Sequence, residues 1–124
     1  MKFLNDNNYE VAKSFFKPLT NKEYSRYQDV CFHLTRCHFF LDEFPDSLKY
    51  LEEAERLITD KSKLNGLWNF IYKELADGFI KNGDMELLDK LCQIISNSEK
   101  LKEIAPPQDF TALIERLGCN DHKQ

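Results

Sequence analysis

One loosely repeated sequence pattern constrains the fold of this chain more than any other feature. The pattern begins with an aromatic residue or Met at position i. A small or apolar residue follows at i+3, an apolar residue at i+7, and an apolar or small residue at i+10. The three copies, each preceded by a short polar turn, are Tyr9-Ala12-Phe16-Leu19, Phe44-Ser47-Leu51-Ala54 and Met85-Leu88-Cys92-Ile95. Their starts are separated by 35 residues (9 to 44) and 41 residues (44 to 85). Recurrence over this range predicts an array of helical repeats that are stable only when stacked.

Apolar residues at helical spacing predict six helices, and no segment alternates in the manner of a strand. Pro18 ends the first helix, while Gly83 and Gly118 follow the fourth and the last. The predicted helices span residues 9–17, 22–41, 45–58, 61–81, 85–95 and 107–117, with a weak helical turn near 98–104.

The predicted helices group into a single domain, which we expect to span residues 1–118. Its size of somewhat over 100 residues is within the usual range for one domain. The helix near 107–117 closes the domain as a C-terminal cap, because its apolar stripe faces inward. Residues 119–124 form a tail that we expect to be frayed.

Composition excludes several classes of function. The chain has 31% charged residues and no apolar stretch of about 18 residues, which argues against a membrane protein. Its net charge of -4 disfavours binding to nucleic acid, whose phosphates are also negative. The N-terminus turns polar at once and does not resemble a secretion signal, so we expect a cytoplasmic protein with reduced cysteines.

Two Cys and two His fall close together in the second predicted helix, a combination that zinc sites use. They are Cys31, His33, Cys37 and His38. At about 100° per residue, His33 and Cys37 share one side of the helix, whereas Cys31 and His38 share another. One metal ion cannot be reached by all four, so the sequence predicts no metal site and no cofactor.

The sequence also predicts no enzyme and no catalytic residue. A Cys nucleophile needs a His and an orienting group that converge in space, and nothing in the sequence fixes such a set. Four glycines do not form a phosphate-binding loop or a nucleophile elbow.

The best copy of the pattern, in residues 42–54, resembles the tetratricopeptide repeat. It has that family's acidic turn, followed by Phe44, the small Ser47 and a closing Ala54. A first helix of the same kind is suggested by Tyr72, Leu75, Ala76 and Phe79. The resemblance covers residues 5–95 and implies an all-α, right-handed solenoid of five to six helices in antiparallel helix-turn-helix pairs. The second offset exceeds the family's usual period of about 34, which implies a longer fourth helix or a longer link.

In the resembled family, the first helix of each repeat lines a concave groove that binds a peptide. The groove positions carried over to this chain are Phe32, His33, Arg36, Phe39 and Phe40 on the second helix, and Phe70, Lys73 and Asp77 on the fourth. Aromatic residues interleaved with Arg are typical of interface centres. For Phe32, Phe39 and Phe70, burial in the core remains an equal alternative.

The function that follows is an adaptor or scaffold that binds a protein or peptide segment through a helical groove. The alternative is a self-assembling or regulatory subunit. Only eight residues precede the first helix, too few for a partner helix, so this helix should keep an uncovered apolar side. Homodimerisation there would use Tyr9, Phe15 and Phe16.

Overall fold

The computed structural model describes residues 6–21 and 26–119, with side chains from residue 8 onward. The described residues form helices and no strand, which confirms the all-α class. The chain divides into two compact units, residues 1–57 and 58–124. The tetratricopeptide-like arrangement and the right-handed solenoid remain predictions.

Unit 1 contains α1 (Asp6–Phe16), α2 (Tyr27–Phe40) and α3 (Phe44–Leu57). A short 3-10 turn, Lys17–Leu19, continues α1 and contains Pro18, which has no N–H to extend the helix. The predicted ranges agree with these bounds to within a few residues, except that the start predicted for the second helix, residues 22–25, lies outside the described residues.

The α2–α3 hairpin forms the core of unit 1. Its tight turn has Asp42 at φ 62°, a left-handed conformation that Asp tolerates better than most residues. The Ser47 hydroxyl donates a hydrogen bond to the Thr35 carbonyl oxygen at 2.8 Å, and both residues are fully buried. Their small side chains let the two helices approach closely. Fully buried apolar residues complete the contact: Cys31, Leu34, Leu51 and Ala54.

Over residues 58–119, the described part of unit 2, the chain forms four helices. Helix α4 joins Lys61–Phe70, Ile71–Leu75 and Ala76–Asn82 without a break, and it is followed by α5 (Met85–Ser96), α6 (Glu99–Ile104) and α7 (Pro107–Leu117). The described residues therefore form seven helices, rather than five to six. The additional one, α6, was expected only as a weak turn; the Ser98 hydroxyl caps it by accepting the Leu101 N–H.

The middle segment of α4, Ile71–Leu75, is π-helical, which the sequence did not predict. Such segments interrupt α-helices as single turns. The apolar residues at helical spacing that predict this helix nevertheless face the core, because Ile71, Leu75 and Phe79 are essentially inaccessible to solvent. Tyr72 lies within this segment, and its ring stacks on the Trp68 ring with centroids 5.3 Å apart.

A disulfide joins Cys92 of α5 to Cys119 beyond α7. The expectation of reduced thiols is therefore wrong for these two residues. Cys119 is also buried, so it does not begin a frayed tail, whereas residues 120–124 lie outside the described residues. Cys31 and Cys37 are not part of a disulfide and are buried, as expected of thiols within helical stripes.

Across the part of the chain that is described, no helix has both the length and the apolar character needed to cross a membrane.

Removing the disulfide should destabilise unit 2. The bond closes a loop of 27 residues, for which the loss of chain entropy corresponds to about 3–4 kcal/mol. We expect Cys119→Ser to lower the free energy of unfolding by this order, measured by urea denaturation. As a matched control, a reductant should lower the stability of the wild type to that of the variant and leave the variant unchanged. Equal stability of the two oxidised proteins would contradict the disulfide.

Candidate functional site

Helix α1 lies against α2 through two pairs of stacked rings. The Tyr9 and Phe40 rings have centroids 4.8 Å apart, and the Phe16 and His33 rings have centroids 4.7 Å apart. Two of the four rings, Phe40 and His33, were predicted to line a groove, and the other two were predicted to mediate self-association. In the structure they contact each other, so α1 covers part of the predicted groove surface of α2.

A single carboxylate, that of Glu43, ties α1 to the α2–α3 turn. Lys13 Nζ lies 3.1 and 3.2 Å from its two oxygens, and His38 Nδ1 donates to Oε1 at 2.7 Å. The backbone N–H of Glu43 also donates to the His38 carbonyl oxygen at 2.8 Å. A carboxylate that accepts hydrogen bonds from charged or aromatic N–H groups in partly buried surroundings is held more firmly than an exposed one.

The His38 ring is only 3% exposed and stacks on Tyr50 with centroids 5.5 Å apart. Because a carboxylate can only accept, the proton of the neutral ring resides on Nδ1, facing Glu43. Nε2 is buried and has no hydrogen-bond partner. A second proton would create an unpaired buried N–H, and burial accordingly lowers the pKa of His38 below 6.5, against the opposing effect of Glu43.

The other charged groups near this ring act in both directions. Lys17 lowers the pKa of His38, whereas Asp46 raises it. For Glu43 itself, burial alone would raise the pKa, but the hydrogen bonds from His38 and Lys13 outweigh burial and hold it below 4.5. At neutral pH the cluster therefore contains a charged Glu43 that accepts hydrogen bonds from a charged Lys13 and from a neutral His38.

His38, Glu43 and Asp46 each bring one potential metal-ligand atom within 4.8 Å of the others. The Lys13 ammonium already neutralises Glu43, and a cation would have to displace it. We therefore interpret the group as a structural tie and not as a metal centre. The sequence alone suggested His38 as a metal ligand only together with the Cys and His residues of its own helix. It did not suggest Glu43 or Asp46, because these carboxylates come from the turn and from the next helix.

A second arrangement extends from Phe16 of α1 onto partly exposed side chains of α2. The Phe16 ring stacks on His33, the His33 ring lies 6.5 Å from Phe32, and the Arg36 guanidinium lies 5.5 Å from the centroid of Phe32. All four side chains are partly exposed. We call Phe16, His33, Phe32 and Arg36 the aromatic strip. Cation–π and stacking contacts hold its side chains in place before any partner arrives.

Two predicted groove residues are instead in the core. Phe39 is 9% exposed and Phe70 is 8% exposed, so the groove interpretation is wrong for both and the core alternative is correct. The Phe39 ring packs edge-on against Phe40 and Phe44, with centroids 5.1 and 5.8 Å away. A change of Phe39 to Glu would therefore unfold unit 1 and would not report on binding.

The remaining predicted groove residues, Lys73 and Asp77, are exposed on α4. Asp77 accepts a hydrogen bond from Arg116 of α7 at 2.8 Å. They belong to unit 2, whereas the aromatic strip belongs to unit 1, and a single groove shared by α2 and α4 stays a prediction.

Acidification should destabilise unit 1. Burial also lowers the pKa of His33, with the positive charge of Arg36 adding to the effect. Histidines with lowered pKa values contribute stability that is complete above their unfolded value near 6.5 and is lost as the pH falls from there towards the folded value. Glu43 adds a second loss below 4.5, because its folded pKa is also lowered.

We expect the free energy of unfolding, followed by urea denaturation from pH 8 to pH 5, to be flat above roughly 7 and to fall below about 6.5. His33→Phe keeps a ring against Phe16, so the slope that remains in this variant isolates His38. Stability that rises between pH 6.5 and 5 would mean that the histidines are not buried in their neutral forms.

Comparisons of this chain with family models, with curated proteins and with solved structures found no match.

Proposed function

We propose that this protein is an adaptor or scaffold that binds a segment of another protein on the aromatic strip. The observation that supports the proposal is the row of partly exposed rings from Phe16 through His33 to Phe32, with Arg36 at its end. Aromatic and Arg side chains dominate the binding energy of protein interfaces. The strip retains three of the residues that the tetratricopeptide resemblance assigned to a groove.

The strip suits binding because its side chains are already ordered. His33 is held against Phe16, and Arg36 is held over Phe32, so docking a partner immobilises few additional rotamers. The guanidinium still offers N–H donors at the edge of the strip, where a backbone carbonyl or a carboxylate of the partner would be recognised.

A binding role is favoured over a catalytic one by the state of the Cys37 thiol. Cys37 is buried, and burial raises the pKa of its thiol, which is the opposite of an activated nucleophile. His38, the nearest candidate base in sequence, donates to Glu43 and has its other nitrogen enclosed. The proposal therefore includes no cofactor and no reaction.

A cytoplasmic location also remains part of the proposal. The feature that weighs against it is the Cys92–Cys119 disulfide, because disulfides are rare in reducing compartments. A binding protein with this disulfide would work equally well in an oxidising compartment.

Truncating the strip should weaken partner binding without unfolding the protein. Affinity capture from an extract of cells that express the protein, with quantitative mass spectrometry, would define the proteins retained by the wild type. We expect Phe32→Ala and Arg36→Ala each to weaken the retained complex by about 2 kcal/mol, on the order of 30-fold, which is the size of an interface hot spot. Dissociation constants would be measured by calorimetry with the purified partner.

Two exposed positions provide matched controls. Arg56→Ala removes an exposed Arg that pairs with Glu53 on α3, and Met85→Ala removes an apolar side chain that is 59% exposed in unit 2. Both controls should bind as the wild type does. If the strip variants retain the same partner with unchanged affinity, or if the controls weaken it equally, the strip is not the binding site.

A further inference from the structure

The chain contains two Asn-Gly dipeptides, and the fold places them in different surroundings. Asn65-Gly66 lies inside the first segment of α4, whereas Asn82-Gly83 lies at the end of this helix. An Asn that precedes Gly readily loses its side-chain amide, because Gly has no side chain to hinder attack by its own backbone nitrogen. The two sites therefore offer the same chemistry in two structural contexts.

The second dipeptide lies where α4 ends and is open to solvent. Asn82 is the last residue of the helix and is exposed, as are Gly83 and Asp84 after it. Gly83 has a left-handed backbone, with φ 78° and ψ 7°, and its N–H donates to the Phe79 carbonyl oxygen at 3.2 Å. Helix ends open at a small cost in free energy. The Gly83 nitrogen is therefore released from its hydrogen bond more easily than an amide nitrogen inside the helix.

The first dipeptide is held by the helix around it, although the Asn65 side chain is exposed as well. Leu64 before it and Leu67 after it are 4% and 0% exposed. Ring closure requires the Asn to leave its helical backbone conformation, so that the nitrogen of the next residue can reach its Cγ. At Asn65 this opening would break helix hydrogen bonds on both sides and bring core residues into water. Position in the helix, and not side-chain exposure, therefore distinguishes the two sites.

We propose that Asn82 is a site of spontaneous deamidation whose products loosen the link between α4 and α5. Hydroxide removes the proton of the Gly83 N–H, and the nitrogen attacks Cγ of Asn82. The new N–Cγ bond closes a cyclic imide, while the Cγ–Nδ2 bond breaks and the amide nitrogen takes a proton from water and leaves as ammonia. Water then opens the imide. Cleavage of the N–Cγ bond gives Asp, and cleavage between the nitrogen and the main-chain carbonyl carbon of residue 82 gives isoaspartate.

Both products place a carboxylate where the helix does not favour one. The C-terminal end of a helix carries a partial negative charge, so a carboxylate at residue 82 is destabilising. The Asp84 carboxylate, two residues further on, already caps α5 by accepting the N–H groups of Glu86 at 3.0 Å and Leu87 at 3.3 Å. Isoaspartate also adds a methylene group to the main chain beside a link of only two residues. The added atom shifts Gly83 away from the Phe79 carbonyl oxygen and weakens the end of α4.

Peptide mapping by mass spectrometry provides a direct test. The purified protein is incubated at mildly alkaline pH in water labelled with heavy oxygen, so that each deamidated residue retains the label. We expect Asn82 of the folded protein to convert at least about tenfold faster than Asn65, because opening at a helix end costs less. In guanidinium chloride the two sites should convert at similar rates. Equal rates in the folded protein would overturn the proposal, as would an Asn82 that stays intact while the unfolded chain converts.

Two glutamine variants serve as a matched pair. Asn82→Gln keeps the amide, but ring closure then needs an additional carbon atom and is much slower, so the label at position 82 should be lost. Asn65→Gln should leave labelling at position 82 unchanged. Both variants should melt as the wild type does, because both side chains are exposed. A label that persists at position 82 in Asn82→Gln would contradict the assignment of the site.

Hydrogen exchange tests the effect on the structure. Protein that contains isoaspartate should exchange its amides faster than fresh protein over residues 79–87, with no change along α2 and α3. Asn82→Asp carries the charge without the added methylene group, so it should show a smaller increase in the same region. Unchanged exchange over residues 79–87 in the isoaspartate protein would contradict the loosened link. The site lies in unit 2 and the aromatic strip lies in unit 1, so neither outcome depends on the proposed function.

Discussion

The position of α1 depends on one carboxylate. Glu43 accepts hydrogen bonds from Lys13 of α1 and from His38 of α2, and its own backbone N–H is bonded to the His38 carbonyl oxygen. If this tie were absent, α1 would be held to the α2–α3 hairpin mainly by two ring stacks and by surface contacts of Lys17. The aromatic strip, the surface that we assign to binding, exists because α1 is docked in this orientation.

The electrostatics of the tie explain why it contains a histidine that remains neutral. A charged His38 would compete with Lys13 for the same carboxylate and would also leave an N–H of its buried Nε2 unpaired. The neutral ring instead donates a single hydrogen bond to Glu43 and stacks on Tyr50. Lys13 supplies the full positive charge, because its side chain comes from the partly exposed side of the cluster.

The sequence predicted the local features of the fold well and the tertiary ones poorly. The bounds of α7 follow from Pro107 and Gly118, which act within one turn of the helix, and the predicted range was correct. The burial of Leu75 and Phe79 likewise followed from helical spacing. The π-helical segment Ile71–Leu75 was not predicted, because it replaces one hydrogen-bonding pattern by another without a residue signature.

For the candidate site, the type of surface could be predicted, but its composition could not. Phe32 and Arg36 were carried over from the groove positions of the resembled family, and both are partly exposed in the structure. Phe40 and His33 were assigned in the same way, yet rings of α1 stack on them and cover them in part, and a contact with a separate helix earlier in the chain is encoded by no local pattern. The Lys13–Glu43 contact could not be predicted for the same reason, since it joins residues 30 positions apart.

The central claim is that α1 docks on α2 with Tyr9 against Phe40 and Phe16 against His33. The most direct measurement is a nuclear Overhauser spectrum of the purified chain with assigned aromatic resonances. The account predicts cross-peaks between the ring protons of both pairs, together with slowed amide exchange along α1. Absence of both sets of cross-peaks, with amides of α1 that exchange at the rates of an unstructured peptide, would contradict it.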